Sequence, residues 1–111
     1  MNTMIPSITL HELKNLLEKD HEKVLLIDVR SKEEFETQHI PGSVNIPASE
    51  LKELEQNSTE RKTIVTICNH GGNRSQNAAQ AFRDSGAKNS HYLEGGTAGW
   101  FDQETKVSSI H

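Results

Sequence analysis

The stretch Thr63-Ile64-Val65-Thr66-Ile67-Cys68-Asn69-His70-Gly71-Gly72-Asn73-Arg74-Ser75, continued to Ser85 and Gly86, decides how the fold is read. Thr63 to Ile67 are all β-branched and mostly apolar, which suits a buried strand. Ala78, Ala79 and Phe82 recur at helical spacing, and Gly86 stands where a helix would stop. Between strand and helix lies a loop with two glycines, the chain's only cysteine and an arginine. A strand, a glycine-containing loop and a helix N-terminus gather backbone N–H groups and a partial positive charge, so this segment predicts an anion cradle.

That setting changes what Cys68 can do. A free thiol has a pKa of roughly 8.5, and a helix N-terminus or a nearby cation lowers it. The thiolate is the nucleophilic form, so the cradle favours reactive sulfur at Cys68. Arg74 keeps its charge at every accessible pH, and its planar fork matches an anionic oxygen group. Gly71 and Gly72 allow the backbone to approach an anion closely. A lone cysteine is more often a small buried hydrophobe. The combination of strand end, glycines, arginine and helix start points instead to a reactive one.

Working outward, 111 residues suit one domain with a single core. Hydrophobic residues make up 32% and aromatics 5%, so that core is expected to be compact and aliphatic. The net charge of −4, with no basic run, argues against nucleic acid as a partner. No apolar stretch approaches the roughly 18 residues that span a bilayer, and Met1 to Leu10 lack signal-peptide character. One cysteine cannot form an internal disulfide, which fits a reducing, cytoplasmic setting. The expected state is a monomer that binds neither membrane nor nucleic acid.

Thr9 and Glu12 have capping-box spacing ahead of Leu10, Leu13, Leu16 and Leu17, which predicts a helix from about Leu10 to Glu18 after a short strand at Ile8. Val24 to Val29 is nearly all apolar, as in a strand covered on both faces. Ser31 and Glu34 repeat the capping box and open a helix through Thr37. Pro41-Gly42 marks a turn, Val44 to Ile46 a short strand, and Ala48 or Ser49 to about Gln56 a helix. After Gly86, Ser90 to Leu93 reads as a strand and Thr97 to Trp100 as one helical turn. Asp102 to His111 reads as a loose tail after a domain that ends near residue 101. Strands alternating with helices predict an α/β domain, with a central, mainly parallel five-stranded sheet flanked by helices on both faces. Ligands of such sheets gather at the carboxyl ends of the strands, where Asp28, Arg30 and Cys68 fall.

The segments Asp28-Val29-Arg30, Glu34-Phe35, His39 through Pro47, Cys68 through Ser75 and Glu94-Gly95-Gly96-Thr97-Ala98-Gly99-Trp100 together resemble a single rhodanese domain. The likeness extends to about Trp100. It implies a rhodanese-like fold and a sulfurtransferase. Cys68 would attack a small anionic donor such as thiosulfate, carry a persulfide, and pass the outer sulfur to a thiol, cyanide or a sulfur-accepting protein. The loop amides of Asn69, His70, Gly71, Gly72, Asn73 and Ser75 would stabilise the persulfide and the moving anion, and Arg74 would hold the donor's oxygens. No cofactor is implied, and the six histidines have no paired metal-ligand spacing with Cys68.

One departure keeps alternatives open. Five residues separate Cys68 from Arg74, and most sulfurtransferases of that family have a loop one residue shorter. The longer loop is similar to that of rhodanese-fold phosphatases and arsenate reductases. Against that likeness, Ile67 stands where those enzymes usually carry histidine, and the loop has no carboxylate to serve as general acid. A non-catalytic sulfur-carrying or protein-binding module is the third reading.

Other residues receive structural expectations. Arg30 is expected to pair with Glu34 or cap carbonyls, and Asp28 to order a loop by accepting N–H bonds. His70 reads as a solvated loop residue, His39 as a structural hydrogen-bonder and Trp100 as a core anchor. Asn69 and Asn73 read as suppliers of backbone amides.

Overall fold

A computed structural model describes residues 6–50 and 62–109, with side chains described as far as residue 103. Among these residues there are five strands, β1 (Ser7–Ile8), β2 (Val24–Asp28), β3 (Val44–Asn45), β4 (Thr63–Ile67) and β5 (Ser90–Leu93). They form one sheet in the order β1-β5-β4-β2-β3, and every pairing between them is parallel. Among the described residues the helices are α1 (Leu10–Asp20), α2 (Lys32–Thr37), α3 (Asn73–Asp84) and α4 (Gly96–Ser109). Short 3-10 turns occupy His21–Lys23 and Ala48–Glu50. The helix read from Ala48 to Gln56 falls mostly outside the described residues.

Both capping boxes form as their spacing predicts. Thr9 Oγ1 accepts the Glu12 N–H, and Glu12 accepts the Thr9 N–H in return. Ser31 and Glu34 do the same at α2. These reciprocal bonds satisfy helix-end donors that would otherwise lack partners.

The alternation of side chains along the strands sorts the core into two layers. Leu26, Val65 and Ile67 pack with Ile8, Leu13, Ile40, Leu93 and Trp100, beside α1 and α4. Ile27 and Ile64 pack with Val29, Cys68, Ala78 and Phe82, beside α3. The central strand β4 is fully covered from Ile64 to Ile67, which is why its residues are apolar or β-branched without alternation. Thr66, its one buried polar member, donates from Oγ1 to the Ser75 carbonyl at 2.7 Å and so ties β4 to the start of α3.

Two differences from the sequence reading have physical causes. α4 continues to Ser109, where a single turn followed by a loose tail was expected. After Gly96, residues 97–109 contain no glycine beyond Gly99 and no proline, so no breaker halts the helix once it starts. Arg30 turns to Asp28 rather than to Glu34, with contacts from Nε and Nη2 at 2.8 to 3.1 Å. Asp28 is fully buried, so its charge requires the adjacent guanidinium. Arg30 also donates to the Gln38 carbonyl at 2.6 Å, which fulfils the carbonyl-capping half of the expectation. Among the described residues no helix is long and apolar enough to cross a membrane.

Candidate active site

β4 ends at Ile67, and the chain then turns over the carboxyl edge of the sheet before entering α3 at Asn73. Parallel neighbours on both sides fix the strand, so the next residue, Cys68, leaves the sheet at its middle. Its sulfur is nearly covered, with the residue 3% exposed. Apolar neighbours line one side of it, yet polar groups reach it. The Gly72 N–H donates to Sγ at 3.1 Å, and the Ser75 hydroxyl lies 3.1 Å from Sγ.

Burial pushes the Cys68 thiol up, but the Ser75 hydroxyl and the Ser75, Gly72 and His70 N–H groups outweigh it, leaving the pKa below its ordinary value. The sulfur is therefore more deeply covered than a solvent-facing nucleophile, and acidic because of the amides aimed at it. The Ser75 hydroxyl also donates to the Gly72 carbonyl at 3.2 Å. It has one proton, so it can accept from the thiol while bonded to Gly72, or turn to donate to the thiolate. Because the folded thiol is more acidic than the unfolded one, the thiolate adds stability that is complete above the ordinary thiol pKa of roughly 8.5. That contribution disappears as pH falls through the folded value.

Replacing Ser75 by alanine removes one donor and leaves the backbone amides in place. The midpoint of Cys68 alkylation against pH should then rise by about one unit. An unmoved midpoint would show that the hydroxyl does not stabilise the thiolate.

The remaining loop residues take distinct positions. Gly71 has φ +75°, and a Cβ there would lie 2.9 Å from the Leu93 carbonyl oxygen. Its own carbonyl accepts from Gln76 Nε2 at 3.0 Å. Gly72 is the N-cap of α3, while His70, Asn73 and Arg74 are exposed. His39 makes its expected structural bond, from Nδ1 to the Phe35 carbonyl at 2.8 Å. Trp100 is 9% exposed within the core, with Lys14 Nζ 4.7 Å from its ring.

Asn69, read from the sequence as a supplier of a backbone amide, also engages its side chain. Its Oδ1 accepts from Arg30 Nη1 at 3.1 Å and its Nδ2 faces Glu34 Oε2 at 3.5 Å, so its side chain braces the loop against the Asp28–Arg30 pair. Arg74 likewise has a protein partner. Its two terminal nitrogens donate to the two oxygens of Glu34 at 2.9 and 3.3 Å.

Sequence reasoning missed three contributors. Glu34 reads as a helix cap and as a partner for Arg30, and its pairing with Arg74, forty residues on, has no local signal. The Ser75 side chain was hidden behind its backbone. Gly96 starts α4, whose Thr97 and Ala98 N–H groups donate at 2.9 Å to the Cys68 and Asn69 carbonyls. A Cβ on Gly96 would come within 2.3 Å of the Cys68 oxygen. The Gly95-Gly96 doublet after a strand was the available signal for such a close approach. Among the described residues no group of three or more His, Cys, Asp or Glu side chains could hold a metal ion.

Comparison with known proteins agrees with this architecture. The rhodanese-like domain family matches residues 9–103. YrkF of Bacillus subtilis, named a putative sulfur carrier protein, is 39% identical over 84 residues, covering 76% of this chain and 44% of YrkF. Thiosulfate sulfurtransferase GlpE of Pseudomonas syringae is 33% identical, covering 73% of this chain and 78% of GlpE. The structure of the human single-domain sulfurtransferase TSTD1 superimposes with a TM-score of 0.78 at 31% identity, covering 87% of this chain and 96% of that one. The chain spans about half or less of the length of several curated relatives it matches.

Proposed function

Because this chain belongs to the rhodanese-like domain family, we propose that it is a sulfurtransferase working through a persulfide on Cys68. The observation that carries the reading is the set of donors on one buried sulfur, the Gly72 N–H and the Ser75 hydroxyl at 3.1 Å each. They favour the thiolate, the form that attacks.

The Cys68 thiolate attacks the outer sulfur of thiosulfate. A new S–S bond forms, the donor's S–S bond breaks, and sulfite leaves with the electron pair. The negative charge then rests on the outer sulfur of the persulfide, within reach of the loop amides. An acceptor thiolate or cyanide attacks that sulfur, the bond to Sγ breaks, and the Cys68 thiolate returns. Cytoplasmic placement and action as a monomer complete the proposal. The sulfur-transfer and sulfur-carrier names of TSTD1, GlpE and YrkF support the class of chemistry.

The test is intact-mass measurement after thiosulfate treatment, followed by addition of cyanide. Gain of one sulfur atom, then its loss as thiocyanate, is the expected result. Turnover of an aryl phosphate, or of arsenate with a thiol reductant, in the absence of sulfur uptake would overturn it in favour of oxyanion chemistry. That outcome would agree with the five-residue spacing from Cys68 to Arg74.

A further inference from the structure

Arg74 is the loop's cation, and its charge is already engaged. Glu34 takes both terminal nitrogens, and Glu34 is itself held in place. Its Oε1 accepts the Ser31 N–H and the Ser31 hydroxyl at 3.0 Å each, because it is the returning arm of the α2 capping box. Its Oε2 faces the Asn69 amide at 3.5 Å, and Asn69 is braced by the buried Arg30. A carboxylate is thereby fixed at the rim of the cradle. Arg74, foremost, and then Ser31 hold its pKa down at about 2, so it is ionised at neutral pH. The side chains of Arg74 and Glu34 remain 44% and 33% exposed, so solvent weakens the pairing and an incoming anion can compete for the guanidinium.

We propose that Glu34 is a positioning residue that sets donor choice: by neutralising Arg74 it biases Cys68 against dianionic donors such as thiosulfate and towards donors of lower charge, alkyl persulfides. The inference rests on the sulfurtransferase reading for its substrates, and on geometry alone for its electrostatics. In a cradle whose cation is compensated, a dianion gains less than it would from a free guanidinium. An alkyl persulfide, which carries less charge and has an apolar end, loses less by the compensation. When the Cys68 thiolate attacks its terminal sulfur, the new S–S bond forms as the donor's S–S bond breaks, and the alkyl thiolate leaves with the electron pair.

Two alkylating reagents of similar size separate the two layers of the claim. Iodoacetate is anionic and iodoacetamide is neutral, and their rate ratio at Cys68 cancels any general change in thiol reactivity. Glu34→Gln keeps the capping box, since glutamine serves in that position. It should raise the iodoacetate-to-iodoacetamide ratio about fivefold, the scale of one partly exposed charge pair. The gain should vanish when Arg74→Ala is added, because the effect passes through Arg74. The KM for thiosulfate should fall by a similar factor, with a smaller change for an alkyl persulfide. An unchanged or lowered ratio, or a gain that survives Arg74→Ala, would overturn the role of Glu34. Sulfur loading from neither donor, alongside an Arg74-dependent rise in the ratio, would instead overturn the sulfur-transfer reading.

Discussion

Cys68→Ser is expected to take up no sulfur from any donor and to lose at least about a thousandfold in transfer rate, the scale seen when a covalent nucleophile is removed. The hydroxyl that replaces the thiol cannot form the S–S bond on which the proposed cycle depends. Nor can the amides that suffice for a thiol produce an alkoxide at neutral pH. The fold should persist, because serine is nearly isosteric and can accept the Gly72 N–H that now reaches Sγ at 3.1 Å. Intact mass, cyanide-dependent thiocyanate release and a melting curve make the comparison. Sulfur uptake equal to that of the unaltered chain would remove Cys68 from the mechanism and leave only the architecture.

Gly96→Ala should have the largest effect on stability. The residue has φ +58°, a conformation that costs an ordinary side chain about 1 kcal/mol or more. The added carbon would also lie 2.3 Å from the Cys68 oxygen and 2.6 Å from the Asn69 carbonyl carbon and oxygen. Those are backbone atoms between a central strand and a helix, so they cannot step aside like the tip of a flexible side chain. A loss of about 3 kcal/mol or more is expected, which for a domain of this size lowers Tm by roughly 10 °C or more. Gly86→Ala is the matching control. Its φ is +108° but nothing lies within 4 Å of the added carbon, so the loss should stay near the backbone cost alone. Equal melting temperatures for the two variants would show that the loop gives way at Gly96, contrary to the packing argument.

Much of the fold was legible because its signals are local. The β-branched run Thr63–Ile67 could be read without its neighbours, as could both capping boxes, and each appears where its residues place it. The position of Cys68 was legible for the same reason, since strand, glycines and helix start adjoin one another. What escaped was set by distance along the chain. Arg30 reads as a partner for Glu34 or for carbonyls, and it is the full burial of Asp28, not visible in local pattern, that draws the guanidinium to Asp28. Arg74 meets Glu34 because β2 and β4 lie side by side, a register invisible to local pattern. The depth of Cys68 likewise depends on Phe82 and Ala78 folding back over it.

The docking of α4 has a bearing on sulfur chemistry that no side chain reveals. In a trans peptide unit the carbonyl of one residue and the N–H of the next point in opposite directions. The Thr97 N–H holds the Cys68 carbonyl and the Ala98 N–H holds the Asn69 carbonyl. The peptide unit between Asn69 and His70 is therefore turned with the His70 amide hydrogen on the side away from α4. The His70 N–H is among the groups that acidify the thiol. Through that peptide unit the seat of α4 bears on the acidity of the Cys68 thiol. Loosening its seat anywhere, even at Trp100, should register first as a less acidic sulfur.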